Sequence, residues 1–546
     1  MRLHICILAL ALAAPLRAQT SAPVTAPADY SSRVTFHTLA PSQLPGPTGL
    51  REYLVDGKLR LALDDAIRLC LLNNTDVRID QSAVDVAKFN LLAAYHPFDP
   101  LFTSNASALR QTTPATSQLQ GASTVSSLFQ QMQFGYTQTL ETGTNYNASY
   151  TGNKSDTNSS FFFINPYFSS GLNFQVTQPL LRNRGLFPNR APIVIARRNL
   201  SQSEATFEAQ VSNEIQNAVG QYWAVVGARE NLRVQQDSLD EAEATYKQNK
   251  RALELGALPP LDIYRSESQV AQRRVSLIQA QYALKQAEDQ FRETIGADLD
   301  PYTAALDLDL TENPEPHGQL FTTDVATALD TALQHRPELD ALRLQVANDD
   351  TGVRLARNGL RPDLELAATY ASNGVGGPQL DSSVTPPVVV PGGFGDALSQ
   401  NFRFRFPTYG FTLSLNLPVR NRAAEAALGE ASVAKRTDLY AIRRQQQSIR
   451  LDVVNSVHQL EEAKLSLEAS KIARSTTQKV LESEQRKYEL GAGDIFKVLE
   501  AQTELTQAEV SQVQAQINYQ LALTAVRHST GELLAGYRVQ VQRAVH

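Results

Sequence analysis

The stretches LNFQVTQPLLRNR at Leu172–Arg184 and FTLSLNLPVRNR at Phe411–Arg422 are similar to each other. In both, apolar residues alternate with uncharged polar residues, which predicts a strand with one apolar and one polar face. A single strand of this kind is usually half-buried in the sheet of a soluble protein. Here each strand leads into a helical pattern far longer than the three or four turns of an average helix, which is unusual for a compact soluble domain.

The similarity between the two halves begins before these strands. A predicted helix from Leu61 to Ala94 has a counterpart from Val325 to Asn358, and Pro100 has a counterpart in Pro362. The chain of 546 residues therefore contains one architecture built twice rather than several unrelated domains.

Composition excludes some functions. The net charge of −6 offers no electrostatic basis for binding nucleic acid. Residues 1–18 have the short positive start, apolar run and cleavage site of a secretory signal peptide, and no other apolar stretch is long enough to cross a bilayer as a helix. Cys6 lies in that signal, so no internal disulfide is expected, and Cys70 is predicted to be a small buried apolar residue. The protein is expected to be periplasmic, secreted or an outer-membrane barrel.

The predicted organisation follows the repeat. In chain order it consists of a signal peptide (1–18), a disordered or extended segment (19–56), a first repeat (57–300) with an insertion (111–170), a linker (301–321), a second repeat (322–534) with a loop (372–400), and a C-terminal tail (535–546).

The insertion and the second loop carry further strand signals. A hairpin is predicted from Phe134–Leu140 and Asn145–Thr151. The aromatic cluster at 161–168 is either an interfacial girdle or a loop packed on itself. The Phe-Arg alternation at 402–406 predicts a strand with the phenylalanines towards lipid and Arg403 and Arg405 in a wet interior, beside a bulge or strand edge at Pro407.

Two helices of more than sixty residues each are predicted to follow the strands, with a length on the order of 100 Å. Asn189 and Asn421 are the predicted starts of these helices. Both helices end at related turns, Leu253–Gly256 and Tyr488–Gly491, and shorter helices return. An antiparallel coiled-coil rod explains the helices equally well, but it does not explain the strands.

The repeat, the QPLLRNRG run at Gln178–Gly185 and the YELGAGDIFKVLEAQTEL run at Tyr488–Leu505 together resemble a TolC-type outer-membrane efflux protein. The resemblance covers Leu61–Leu534. It implies a mixed α+β membrane protein that forms a homotrimer, with four strands per protomer in a transmembrane β-barrel and a long antiparallel helical tunnel in the periplasm. It also implies a periplasmic adaptor and an inner-membrane transporter as partners, outer-membrane lipid around the barrel, and no cofactor. Because of the insertion at 111–170, the number of strands per protomer stays open.

No catalytic motif is found. The sequence lacks His-Glu-x-x-His, Gly-x-Ser-x-Gly, paired Cys-x-x-Cys and phosphate-binding glycine loops, and its eight histidines are scattered. We therefore expect neither an enzyme nor a metal site.

Candidate pore residues lie at the start of the second returning helix. Asp494, Lys497 and Glu500 share a helix face, and in a trimer each would form a ring of three that controls ion passage. By resemblance, Glu500 matches one of two acidic residues at the tunnel entrance, whereas Lys497 stands where the other would be. The alternative is that Asp494 caps the helix while Lys497 and Glu500 form a solvated pair.

Two further sets complete the candidate residues. By resemblance, the turns with Leu255, Gly256, Tyr488 and Gly491 form the tip that meets the adaptor, although they also serve simply to end helices. The polar strand face places Thr412, Ser414, Arg403 and Arg405 towards the barrel lumen.

The expected function is a passive exit channel of a tripartite efflux or type I secretion system. A periplasmic coiled-coil scaffold without a pore is the alternative, in which the strands form a small soluble sheet.

Overall fold

The computed structural model describes residues 46–255, 260–316, 318–381, 383, 385–386 and 388–541. The predicted signal peptide, most of the predicted disordered segment, Gly256 and the last five residues lie outside this range. No helix among the described residues is both long and apolar enough to span a bilayer.

Six long strands form one antiparallel sheet. In chain order they are β3 (Leu101–Pro114), β4 (Thr124–Thr139), β5 (Asn145–Thr157), β6 (Tyr167–Pro179), β8 (Asp363–Gly376) and β11 (Pro407–Asn416). Their order in the sheet is β11-β8-β6-β5-β4-β3, so β11 and β3 are its edges. The predicted hairpin is confirmed, because Thr139 pairs with Asn145 across the turn, and the insertion at 111–170 is largely sheet.

A small sheet joins the start of the first repeat to the linker that follows it. It contains β1 (Leu54–Val55), β2 (Lys58–Leu61) and β7 (Asp307–Leu310), in the order β1-β2-β7. Part of the predicted disordered segment is therefore ordered, because Leu50 is buried in the same core as this sheet. A separate two-stranded ribbon contains β9 (Gln379–Asp381) and β10 (Val388–Val390).

Helices make up most of the rest. They are α1 (Leu63–Asn73), α2 (Thr75–Ala93), α3 (Leu186–Glu254), α4 (Pro260–Thr294), α5 (Pro301–Ala304), α6 (Val325–His335), α7 (Pro337–Gly359), α8 (Phe394–Phe402), α9 (Arg422–Glu489), α10 (Ile495–Ser529) and α11 (Leu533–Gly536). The two predicted long helices are confirmed, with 69 residues in α3 and 68 in α9. Each packs against its returning helix, α3 with α4 and α9 with α10.

Three predicted helix boundaries are wrong. The first helix of each repeat is broken at the same position, Asn74 in one and Arg336-Pro337 in the other. The Asn74 side chain accepts hydrogen bonds from the next turn and so starts a new helix, and Pro337 lacks the amide that would continue the old one. The helix α3 begins at Leu186 after Gly185 rather than at Asn189, whereas Asn421 caps α9 as predicted.

The main core lies where α1, α3, α4 and α10 meet the small sheet. Tyr222 is fully buried there, packs edge-on against Trp223 and Phe291, and donates a hydrogen bond to the carbonyl of Leu61. These contacts anchor the middle of α3 to α4 and to the small sheet.

The predicted strand at residues 402–406 is wrong. The helix α8 ends at Phe402, and a turn with Phe404 at a positive φ of 50° leads to β11. Pro407 is the first residue of β11 at the sheet edge, as predicted, where its missing amide costs no ladder hydrogen bond.

Candidate functional site

One face of the six-stranded sheet is polar. Residues that are paired directly across neighbouring strands lie on the same face. Thr412 and Ser414 belong to this face, opposite Ala367 and Glu365 of β8. Other members are Ser127, Gln131, Gln133, Thr137, Asn145, Asn147, Ser149, Thr151, Asn153, Asn173, Gln175, Thr177, Thr369 and Asn373. Prolines apart, the apolar and aromatic exceptions larger than alanine are Leu101, Leu109, Val125, Phe129, Tyr167 and Val375.

The opposite face is apolar over the half of the sheet next to the long helices. Phe411, Leu413 and Leu415 lie on it, and 80% of Phe411 is exposed. Other members are Phe102, Phe134, Tyr136, Tyr146, Tyr150, Leu172, Phe174, Val176, Leu364, Leu366, Tyr370 and Tyr409. From Leu364 to Tyr370 this apolar belt extends about 20 Å along β8. So large an exposed apolar surface marks contact with lipid or another protein.

The helix α8 lies on the apolar face, beyond the belt. Ala397 and Asn401 are buried against β6 and β8. Ser170 on β6 donates to the carbonyl of Ala397 (2.8 Å), and Ser372 on β8 donates to the carbonyl of Asn401 (3.0 Å). A Cβ added at Gly374 would lie 1.9 Å from the carbonyl oxygen of Ala397, so this position admits only glycine under the helix.

Arg403 and Arg405 lie in the turn that follows α8, not on a strand. The ring of Phe404 packs 6.0 Å from the ring of Tyr370, which lies on the apolar face. The strand whose alternation placed Arg403 and Arg405 in the barrel lumen is therefore absent, and that prediction is wrong. The turn lies against the apolar face of the sheet, whereas Thr412 and Ser414 lie on the polar face.

The C-terminal ends of α3 and α9 are exposed. Leu255 and Leu490 are 84% and 77% exposed, and Gly491 has a positive φ of 72°, as expected for a left-handed helix end. Gly256 lies outside the described residues. Leu490 was not among the predicted tip residues, although it occupies the position in the second repeat that Leu255 occupies in the first.

Tyr488 points inward and joins the two helical hairpins. Its hydroxyl donates to Oδ1 of Asn249 on α3 (3.0 Å), and Nδ2 of Asn249 donates to Ser266 on α4 (2.7 Å). Asn249 is fully buried, and burial raises the pKa of Tyr488. The hydroxyl of Tyr488 therefore links α9 to α3, and through Asn249 to α4, while contact of this residue with an adaptor stays a prediction.

Asp494 caps α10, because its carboxylate accepts a hydrogen bond from the amide of Phe496 (3.0 Å). Lys497 donates to Glu500 (2.7 Å), and both side chains are exposed. This hydrogen bond to Glu500 raises the pKa of Lys497. Within one protomer, the three residues thus match the alternative of a cap and a solvated ion pair.

A groove between α4 and α10 lies beside Glu500. It has a volume of about 710 Å³ and is lined by Tyr264, Arg265 and Phe496, among others. Arg265 lies over the Phe496 ring at 5.7 Å. The sequence contains no motif for this groove, because it forms between helices of different repeats.

Polar contacts continue between the hairpins above the tip. Glu241 on α3 accepts from Gln485 on α9 (3.2 Å), and Ser238 bonds Thr506 on α10 (3.0 Å). Burial raises the pKa of Glu241. No group of three or more His, Cys, Asp or Glu in the described part of the chain is arranged to hold a metal ion.

Comparison with known proteins gives a consistent result. The family model described as outer membrane efflux protein matches residues 139–297 and 328–532, one segment in each repeat. No curated protein matches the sequence.

Solved channels share the fold. The Campylobacter jejuni CmeC outer membrane channel is 17% identical, with 86% of each chain covered and a TM-score of 0.61. VceC from Vibrio cholerae is 14% identical, with 86% of this chain and 96% of that chain covered and a TM-score of 0.60. The open state of the Neisseria gonorrhoeae MtrE outer membrane channel is 17% identical, with 86% and 89% covered and a TM-score of 0.57.

The family match covers more than half of the chain, and the fold agrees with it. The chain belongs to the outer membrane efflux protein family, whose members are channel proteins of the bacterial outer membrane.

Proposed function

We propose that three copies of this chain form the outer-membrane exit channel of a tripartite efflux or type I secretion system. The observation that carries the proposal is a sheet with one apolar and one polar face and two unpaired edges, continued by long helices. Closure between copies pairs β3 of one protomer with β11 of the next and removes the exposed edges. Lipid then covers the apolar belt, and water fills the polar interior.

The barrel of this chain is wider than the twelve-stranded barrel that the family resemblance implies. The described residues of each protomer supply six strands, so three copies supply eighteen. Since barrel diameter grows roughly linearly with strand number, the barrel is about 1.5 times as wide. The two additional strands, β4 and β5, lie within the predicted insertion at 111–170.

Each candidate set has a role in this proposal. Thr412 and Ser414 line the barrel lumen. Leu255 and Leu490, with the turn at Gly491, meet the periplasmic adaptor, which connects the channel to an inner-membrane transporter that supplies the driving energy. Glu500 faces the tunnel entrance, where the neighbouring Lys497 offsets part of its charge.

Ion selectivity in planar bilayers tests both the pore and its entrance. The purified protein should conduct. Glu500→Gln should lower the preference for cations, because it removes a ring of three negative charges. Lys497→Gln should raise that preference, because it frees the Glu500 carboxylates from their ion pairs. Glu267→Gln, an exposed carboxylate on α4, is the matched control and should change nothing.

The absence of any conductance from folded, membrane-inserted protein would contradict the channel. If all three variants had the same ion selectivity, the assignment of Glu500 and Lys497 to the tunnel entrance would be wrong. The channel function itself would not be contradicted by that result. Resistance of the protein to carbonate extraction from membranes separates this proposal from a peripheral scaffold.

A further inference from the structure

The turn between α8 and β11 has a composition that the channel function does not use. It reads Phe402-Arg403-Phe404-Arg405-Phe406, and all five residues are exposed. Arg405 lies over the ring of Phe406 at 5.6 Å. In the described part of the chain, neither guanidinium forms an ion pair.

The sheet fixes this turn on the outside of the barrel. The helix α8 fits over Gly374 and Gly376, where an added Cβ would lie 1.9 and 2.0 Å from backbone oxygens of the segment above. Phe394 contacts the sheet at Gly152 and Phe168. All four positions lie on the face that carries Leu172 and Phe174, whereas the other face is rich in Asn, Thr and Gln and would be costly to expose to lipid.

The turn also lies at a defined height. On β8, the apolar belt runs from Leu364 to Tyr370, and the contacts with α8 begin at Ser372. The long helices leave the other end of the sheet, after Pro179 and Asn416. The turn therefore lies at the outer edge of the belt, where lipid headgroups of the outer leaflet meet the acyl chains.

We propose that the Phe402–Phe406 turn binds phosphate-bearing headgroups of outer-leaflet lipid. The phenylalanines enter the acyl region beside Tyr370, and Arg403 and Arg405 hold the phosphate from above. Guanidinium groups suit this ligand because they donate paired hydrogen bonds to phosphate oxygens, and aromatic rings favour the interface. The inference rests on the proposed function, since it requires the apolar face to meet lipid.

Binding of diphosphorylated lipid A to the purified full-length protein, measured by native mass spectrometry, tests the proposal. Arg403→Gln/Arg405→Gln should weaken binding about 25-fold, because each cation near an anionic surface contributes roughly fivefold. The matched control is Arg443→Gln/Arg444→Gln, an exposed adjacent pair on α9 far from the sheet, and it should bind as the unmodified protein does. Dephosphorylated lipid A should bind the unmodified protein as weakly as the phosphorylated form binds the first variant.

Unchanged binding in the Arg403/Arg405 variant, equal loss in the control, or equal affinity for both lipids would overturn the proposal. A change in channel ion selectivity with lipid binding intact would also overturn it, since the arginines would then line the lumen. Conductance recorded from the same preparations keeps the two proposals apart. A conducting wild-type protein without phosphate-dependent lipid binding refutes the lipid site only, whereas a non-conducting one refutes the channel. Circular dichroism and thermal unfolding confirm that both double variants fold.

Discussion

Removing the side chain of Asn249 should loosen the tip of the helical hairpins without unfolding their core. Asn249 is fully buried and makes two hydrogen bonds to other helices, at 2.7 Å to Ser266 and at 3.0 Å to Tyr488. Each bond contributes about 1 kcal/mol, and the hydroxyl of Tyr488 loses its partner, so Asn249→Ala should lower the local opening free energy by roughly 2–3 kcal/mol. Ser266 limits the loss, because it can still donate to the carbonyl of Asp262.

Amide hydrogen exchange followed by mass spectrometry measures this local opening. Peptides at the ends of α3 and α9 should exchange about 30- to 150-fold faster in Asn249→Ala. Tyr488→Phe removes only one of the two bonds and should give about a fivefold increase. Gln236→Ala, an exposed residue on the same helix, should stay within about twofold of the unmodified protein.

The role of Asn249 in holding the tip would be refuted if Asn249→Ala left exchange at the tip unchanged. It would equally be refuted if exchange rose as much around Tyr222, because the core there shares no contact with Asn249. If amide exchange at the tip rose more in Tyr488→Phe than in Asn249→Ala, the hydrogen bonds of Asn249 would not be what holds the tip.

Three further outcomes follow from single sites. Gly374→Val should displace α8, because a Cβ there meets the carbonyl oxygen of Ala397 at 1.9 Å. Tryptic cleavage in the turn that follows α8 should then become several-fold faster. Unchanged cleavage would contradict the packing of α8 on the sheet. Burial, aided by Arg336, lowers the pKa of His528 to about 4. The unfolded chain therefore binds the proton at a higher pH than the folded chain does, and the free energy of unfolding should fall by roughly 2 kcal/mol as pH drops from 6.5 to 4. Thermal unfolding measured across this pH range should show the loss, and His528→Gln should reduce its pH dependence. Burial also raises the pKa of Cys70 to about 12, so a maleimide at pH 8 should label the peptide that carries it only after denaturation; labelling of the folded protein would show that this helix opens.

Much of the fold could be predicted because local patterns agree with tertiary structure. The strands at 172–177 and 411–416 alternate strictly, and their two faces are the two faces of the sheet. The long helices are evident from their length and from Asn421 and Asp494, whose side chains cap the following turn as predicted.

The errors arose where tertiary contacts override local pattern. Alternation over 402–406 predicts a strand, yet buried Asn401 and the glycines beneath α8 hold the preceding residues as a helix. A run of five alternating residues is too short to distinguish a strand from a helix end followed by a turn. The break at Asn74 was recognisable in principle, since an Asn-Thr-Asp sequence is a helix start.

The positions of the candidate residues could be predicted only in part, and their roles stay predictions. Leu255 and Gly491 lie at the exposed C-terminal ends of α3 and α9, but Tyr488 points inward, because its partner Asn249 belongs to the other repeat and no local signal joins them. The ion pair of Lys497 and Glu500 was foreseen from their spacing. Which residues face the tunnel depends on contacts between copies, which spacing within one chain does not encode.

Accessibility of spin labels along β11 shows directly whether one face of this strand meets lipid and the other meets water. Single cysteines are placed at positions 411 to 415 in a Cys70→Ala background, and relaxation by oxygen and by a water-soluble nickel complex is compared in reconstituted membranes. Labels at Phe411, Leu413 and Leu415 should respond to oxygen, which concentrates in lipid, whereas labels at Thr412 and Ser414 should respond to the nickel complex. Equal response at all five positions, or shielding of Phe411, Leu413 and Leu415 from both reagents, would contradict a lipid-facing strand that encloses a water-filled channel.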